Sequence, residues 1–203
     1  MDKIIDEMNK KINQLKNELE DHEFLENKIA SCSFNSNVVS WSKSRAYSLI
    51  PFYSELTGYK TDKMLTKEPK NKNNSYCYFG RPEIDRIVSY NSRGVIETEE
   101  YIISSVNHKI GIMKDFRGDF RALTQLFFDS KGRYLECYSV TDDDEYFGYH
   151  YIYNENNVSE IISVAGNGLK PYVTLYLEYM DDGNLRRIYF KNDMKLVDVY
   201  SSN

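Results

Sequence analysis

One phrase recurs along this chain, and it is the phrase of a β-hairpin. An aromatic strand runs into Asp or Asn, a short polar turn with Gly or Asn follows, and an apolar residue starts the return strand. It reads Tyr90-Asn91-Ser92-Arg93-Gly94-Val95-Ile96, then Phe128-Asp129-Ser130-Lys131-Gly132-Arg133-Tyr134-Leu135. It returns as Tyr153-Asn154-Glu155-Asn156-Asn157-Val158 and as Tyr179-Met180-Asp181-Asp182-Gly183-Asn184-Leu185. An Asx side chain bonds its own backbone two residues on, and Gly or Asn takes the left-handed conformation that closes the hairpin. Gly94 and Gly132 are therefore expected at positive φ. Hairpins of one design predict a large antiparallel sheet and no particular reaction.

From Tyr76 onward the chain carries 15 of its 18 tyrosines, with many Ile, Val and Phe. Strands are expected near residues 76–80, 84–91, 95–106, 120–129, 133–141, 147–154, 158–165, 172–180, 185–191 and 195–200. The turn spacing is uneven: Asp129 follows Asn91 by 38 residues, and Asn154 follows Asp129 by 25. A solenoid keeps a fixed period, so a meander is expected, with one longer excursion containing Lys114-Asp115-Phe116-Arg117-Gly118-Asp119.

The N-terminal part reads differently. Ile5, Met8, Ile12, Leu15 and Leu19 follow 3-4-3-4 spacing, which predicts a helix over residues 2–28 with one apolar stripe. The stripe fails after Leu19, where His22 and Glu26 would come next. So short a heptad run favours packing on the same chain over a coiled coil, and a monomer when free. A second helical region is expected over 38–57 around Trp41, Ala46, Leu49 and Leu56, broken at Pro51 and capped by Gly58. The polar run Lys67-Glu68-Pro69-Lys70-Asn71-Lys72-Asn73-Asn74-Ser75 is the best linker candidate. The expected architecture is α+β: an N-terminal helical segment, 1–66, packed on an antiparallel β-meander sheet of consecutive hairpins, 76–203.

Charge narrows the partners. Residues 1–80 hold 12 Lys and Arg against 11 Asp and Glu, while residues 81–203 hold 14 against 20. The sheet-forming part is the acidic part and repels phosphate backbones, so nucleic acid is not the expected partner and a basic protein surface is. The three cysteines, Cys32, Cys77 and Cys137, are odd in number and far apart, which points to a reducing, cytoplasmic setting. No apolar run approaches the roughly 18 residues of a membrane helix. The charged N-terminus has no h-region, so no secretory signal is expected.

Phe127-Phe128-Asp129-Ser130-Lys131-Gly132-Arg133-Tyr134-Leu135 resembles the strand–turn–strand unit of YD/RHS-type repeats. It is also similar to MORN-variant repeats. Proteins built from such units include bacterial surface shells and antitoxin components of toxin–immunity pairs. The resemblance implies a hairpin-repeat architecture and a bacterial immunity role; it carries over no functional residue.

The histidines, His22, His108 and His150, have no metal-ligand spacing around them, and neither a Walker loop nor a nucleophile elbow is present. A Cys137–His150 nucleophilic pair and a Ca²⁺ site at Asp142-Asp143-Asp144-Glu145 are weaker readings, since the spacing of a calcium loop is missing. The sharpest feature is Asp142, Asp143, Asp144 and Glu145 running into Tyr146, Phe147 and Tyr149. Acidic groups speed association with basic partners, and Tyr and Phe supply rigid contact area. These seven residues are the expected partner-binding site of a non-enzymatic immunity protein that occludes a basic, nuclease-type toxin without a cofactor. The other readings are a sheet-based glycan or cell-wall module and an enzyme whose site carries no motif.

Overall fold

The hairpin phrase builds the whole sheet. A computed structural model describes residues 1–203 except 61, 81, 167–169, 194 and 203. Twelve strands form one antiparallel sheet in sequence order. They are β1 (Val38–Ser42), β2 (Ser75–Phe79), β3 (Arg86–Tyr90), β4 (Ile96–Ser104), β5 (His108–Asp115) and β6 (Phe120–Phe128). The second half is β7 (Tyr134–Thr141), β8 (Tyr146–Asn154), β9 (Asn157–Ala165), β10 (Val173–Tyr179), β11 (Leu185–Asn192) and β12 (Lys195–Ser201).

Five turns share one geometry, starting at Asn91, Asp115, Asp129, Thr141 and Met180. In each, the amide of the first residue donates to the carbonyl four residues on at 2.8–2.9 Å. The amide of the fourth donates back to the first at 2.9–3.3 Å. The fourth residue has positive φ: 73° at Gly94, 90° at Gly118, 76° at Gly132, 66° at Asp144 and 83° at Gly183. This is the three-residue hairpin loop with a bulge at its left-handed residue, and the ladder slips by one beside four of the five. The first-position side chain supports it as expected. Asn91, Asp115 and Asp129 each accept, through Oδ1, the amides two and four residues on.

The longer excursion expected around Lys114–Asp119 is not there. That segment is the end of β5 and a fifth copy of the same turn. The uneven spacing came from comparing turns at opposite ends of the sheet. At one end Asn91, Asp115 and Thr141 follow one another by 24 and 26 residues; at the other, Asp129, Asn154 and Met180 do so by 25 and 26. One expectation about the turn residues also fails. In the β8–β9 turn the left-handed residue is Glu155, at φ 54°, and not an asparagine.

The helix expected over 2–28 is two helices, α1 (Asp2–Glu20) and α2 (His22–Ala30). They break at Asp21, whose side chain accepts the Phe24 amide at 2.9 Å as an N-cap. The break falls where the apolar stripe ends. Ile5, Met8, Ile12, Leu15 and Leu19 are all buried, packed with Ile110, Ile112, Leu123, Tyr138, Val140, Ile162 and Val164 of β5, β6, β7 and β9. Burying each such side chain stabilises by about 1.5–3 kcal/mol, so the stripe belongs to the chain's own sheet. Gly148 lets α1 approach: a Cβ there would sit 3.3 Å from Ile12 Cδ1 and 2.9 Å from Tyr138 Cδ1.

The helical region expected over 38–57 is mostly something else. Val38–Ser42 is an edge strand with Trp41 buried, and only Tyr53–Thr57 is helical, α3. Between them the chain leaves the sheet and returns as an Ω-like loop. Its neck is pinned at Ser44, whose Oγ donates to the Lys60 carbonyl and accepts the Asp62 amide, both at 2.9 Å. Its tip crosses the face opposite α1. Leu49 packs with Tyr78, Ile87 and Ile102, while Ile50, Phe52 and Leu56 pack on the cluster of Leu126, Cys137, Tyr151, Ile161 and Leu175. Trp41, Ala46, Leu49 and Leu56 are apolar as the helical reading required, but the loop's apolar residues fill a sheet surface rather than a helix stripe. Gly58 does cap α3, at φ 71°. The middle of the sheet is thus covered by the helices on one face and by the chain's own loop on the other. Among the described residues, no helix is long and apolar enough to cross a membrane.

Candidate functional site

The acidic turn joins β7 to β8, and alternation divides its neighbours between the two faces. Asp142, Asp143, Asp144 and Glu145 are exposed. Tyr146 turns to the helix face, where Lys16 Nζ lies 4.6 Å from its ring centroid. Phe147 and Tyr149 turn to the loop face, with ring centroids 4.9 Å apart. Burial pushes the Tyr149 hydroxyl up to about 12, so it stays protonated at neutral pH. Alternation thus sends Tyr146 to one face and Phe147 and Tyr149 to the other, while Glu145, Tyr146, Phe147 and Tyr149 all line one cavity beside the turn.

The four carboxylates are unequal. Asp142 pairs with Arg121 at 2.5 Å, and Asp144 with Lys16 at 3.2 Å. Asp143 accepts the Thr141 hydroxyl, and that bond holds its carboxyl below the usual range. Among the described residues, no side-chain bond to Glu145 is seen. Asp143 and Glu145 are thus the carboxylates left facing outward without a cationic partner.

Behind the turn, on the loop face, lies a cavity of about 370 Å³. Its floor is the sheet: Ala122, Thr124 and Ser139, the last two joined by a 2.9 Å hydroxyl hydrogen bond. One wall is the Ω-like loop, with Leu49, Ile50 and Tyr53; the other is Phe147 and the acidic turn. Deep in the loop-side wall, Arg45 is paired with Glu100, which is 5% exposed. Burial works against the Arg45 charge, but Glu100 more than compensates and raises its pKa. A smaller cavity of about 340 Å³ adjoins, sharing Ser139, Thr141, Glu145 and Phe147.

Arg45, Glu100, Arg121, Thr124 and Ser139 were not among the predicted site residues. Glu100 had a signal. In Glu99-Glu100-Tyr101-Ile102-Ile103, alternation sets Glu100 on the face of Ile102, and a carboxylate on an apolar strand face needs a buried cation. Arg45 had none, because its loop looked like a helix.

The catalytic pairing of Cys137 with His150 is excluded by register. Cys137 pairs across the ladder with Tyr149, and Glu136 with His150, so the thiol and the imidazole lie on opposite faces of the sheet. Burial also pushes the Cys137 thiol far up. His150 instead shares Glu136 with Lys11 of α1. Among the described residues, no group of three or more His, Cys, Asp or Glu side chains is arranged to hold a metal ion.

The sequence matches no protein-family model and none of the curated proteins compared with it.

Proposed function

We propose that the chain is a binding protein that captures a basic partner by direct association at the β7–β8 end of its sheet, in the manner of a bacterial immunity protein. The observation that carries this is the position of the acidic turn. It stands at the mouth of a partly aromatic cavity, with the Asp143 and Glu145 carboxylates free to meet a cation. Charge of this kind acts on encounter rate and specificity, while the adjoining Phe147 and Tyr149 supply contact area that slows dissociation. The acidic balance of residues 81–203 strengthens the attraction at long range.

The test uses the product of the gene adjacent to this one, co-purified and then measured in surface-binding kinetics at two salt concentrations. In the Asp143→Asn/Glu145→Gln variant, association should slow and its salt dependence flatten. Asp142 and Asp144 are poorer choices, since neutralising them strands Arg121 and Lys16. Unchanged association in the double variant sinks the proposal.

A glycan module is less well supported. Its best platform is Tyr176 and Tyr189, stacked at 5.6 Å, but Lys191 lies 4.4 Å over the first ring and Arg187 lies 4.5 Å over the second. A sugar would have to displace both cations.

A further inference from the structure

We infer that the cavity between the Ω-like loop and the sheet is a receptor for one arginine side chain of the partner protein. The inference rests on the docking reading above and deepens it by naming the group that is bound. Three observations carry it.

The first is charge. The lining holds two guanidiniums, Arg45 and Arg121, against four carboxylates, Glu100, Asp142, Asp143 and Glu145, so the cavity is short of two positive charges. Both arginines are already committed, to Glu100 and to Asp142. The vacant demand sits on Asp143 and Glu145 at the mouth. The second is shape and lining. A volume of about 370 Å³ lies in the range of pockets that take a discrete group. The hydroxyls of Thr124 and Ser139 at the floor offer acceptor lone pairs beyond the one bond they share. Leu49, Ile50, Tyr53 and Phe147 offer the apolar and aromatic surface on which a guanidinium and its stem pack. The third is precedent within the wall itself. Arg45 shows that this environment holds a guanidinium against a carboxylate with little water, and it raises the affinity of that group for its proton.

A guanidinium suits this lining better than an ammonium. It is planar, presents five donors and is more weakly hydrated, so it gives up less on entering a partly apolar site. A lysine, a compact and strongly hydrated charge, should bind more weakly.

The experiment titrates N-acetyl-arginine methylamide into the ¹⁵N-labelled full chain and follows amide shifts, with the acetyl-lysine and acetyl-glutamate methylamides and sodium chloride as controls. The expected result is saturable shifts at Ala122, Thr124, Ser139, Thr141 and Phe147 and in the 45–53 loop, with weaker binding of the lysine amide and none of the glutamate amide. Glu145→Gln should weaken the arginine amide about tenfold, the worth of one charge-assisted hydrogen bond. Ala122→Leu, which fills the floor without altering charge, should abolish binding while its spectrum stays that of a folded protein. If it fails to fold, Thr124→Val, which removes a floor acceptor, takes its place.

Shifts that never saturate, or that fall equally on the Asp181–Asp182 turn, would overturn the inference, as would equal binding by a folded Ala122→Leu protein. The two readings fail separately. If the arginine amide saturates the cavity yet Ala122→Leu captures the partner unchanged, the cavity stands and docking there is wrong. If partner association falls in Asp143→Asn/Glu145→Gln and no amide binds, docking stands and the arginine receptor is wrong.

Discussion

Gly132 in the β6–β7 turn and Gly148 within β8 are each glycine for a separate reason. Gly132 is at φ 76° with open space where a Cβ would go, so its need is conformational. Gly132→Val should cost on the order of 1 kcal/mol or more. Gly148 sits under α1, and its need is room. Gly148→Ala should destabilise by about 1–3 kcal/mol through overpacking, and Ile12→Val should recover part of that. Urea midpoints at unchanged slope measure both. Glu136 adds a dependence on pH. Burial disfavours its charge, but the hydrogen bonds from His150 and Lys11 outweigh that, so its folded pKa lies below its ordinary value. A depressed carboxylate contributes stability above its unfolded pKa and loses it as pH falls through the folded one. The wild-type protein should therefore lose stability on acidification below the ordinary glutamate range. Glu136→Gln should show a flatter acid limb in thermal melts across that range.

At the scale of elements, two pieces cover the sheet, and each has a side chain that measures its grip. For α1 it is Leu15, 1% exposed on the helix stripe. Leu15→Ala should cost about 2–5 kcal/mol, the usual range for a buried leucine. For the Ω-like loop it is Leu49, which packs over Gly111. A Cβ on Gly111 would meet Leu49 Cδ1 and Glu100 Oε1, each at 2.8 Å. Gly111→Ala should therefore push the loop tip off the sheet and disturb the Arg45–Glu100 pair together. Hydrogen exchange should show lost protection in residues 45–57 while the β6–β9 core keeps its own. Equal loss in both regions would mean that the loop and sheet open as one unit. Phe52 belongs to the same element. It holds φ 61°, a conformation that bulky residues rarely adopt, at the point where the loop turns into α3.

For the whole molecule, the question is whether twelve open strands stay alone. The β1 edge is capped, since Trp41 exchanges backbone hydrogen bonds with Leu65 at 2.8 and 2.6 Å. The outer edge of β12 carries Lys195 and Asp198, charges of the sort that discourage strand pairing, beside the exposed Leu196. With the α1 stripe buried on the chain's own sheet, light scattering should give a monomer. A stable dimer that disappears on deleting residues 1–20 would mean that the stripe prefers another copy to its own sheet.

Local chemistry was enough for the sheet. Asn91 and Asp129 bond their own turns, and Gly94 and Gly132 supply the positive φ, all within a few residues. The helix stripe from Ile5 to Leu19, its failure near His22 and the Gly58 cap were legible for the same reason: period and capping are local. The period of about 25 residues was present in the sequence but hidden, because only strand pairing tells which turns share an end of the sheet. Residues 38–57 were misread because an apolar pattern states that side chains will be buried, not against what. Only the tertiary structure decided that Leu49, Ile50 and Phe52 fill the face opposite α1. The cavity follows from that decision. Arg45 meets Glu100 across 55 residues of chain, whereas the Thr124–Ser139 bond at the cavity floor lies within the single β6–β7 hairpin. The floor was within reach of local turn chemistry, but the Arg45–Glu100 wall was set by loop placement, a quantity that no short stretch of sequence carries.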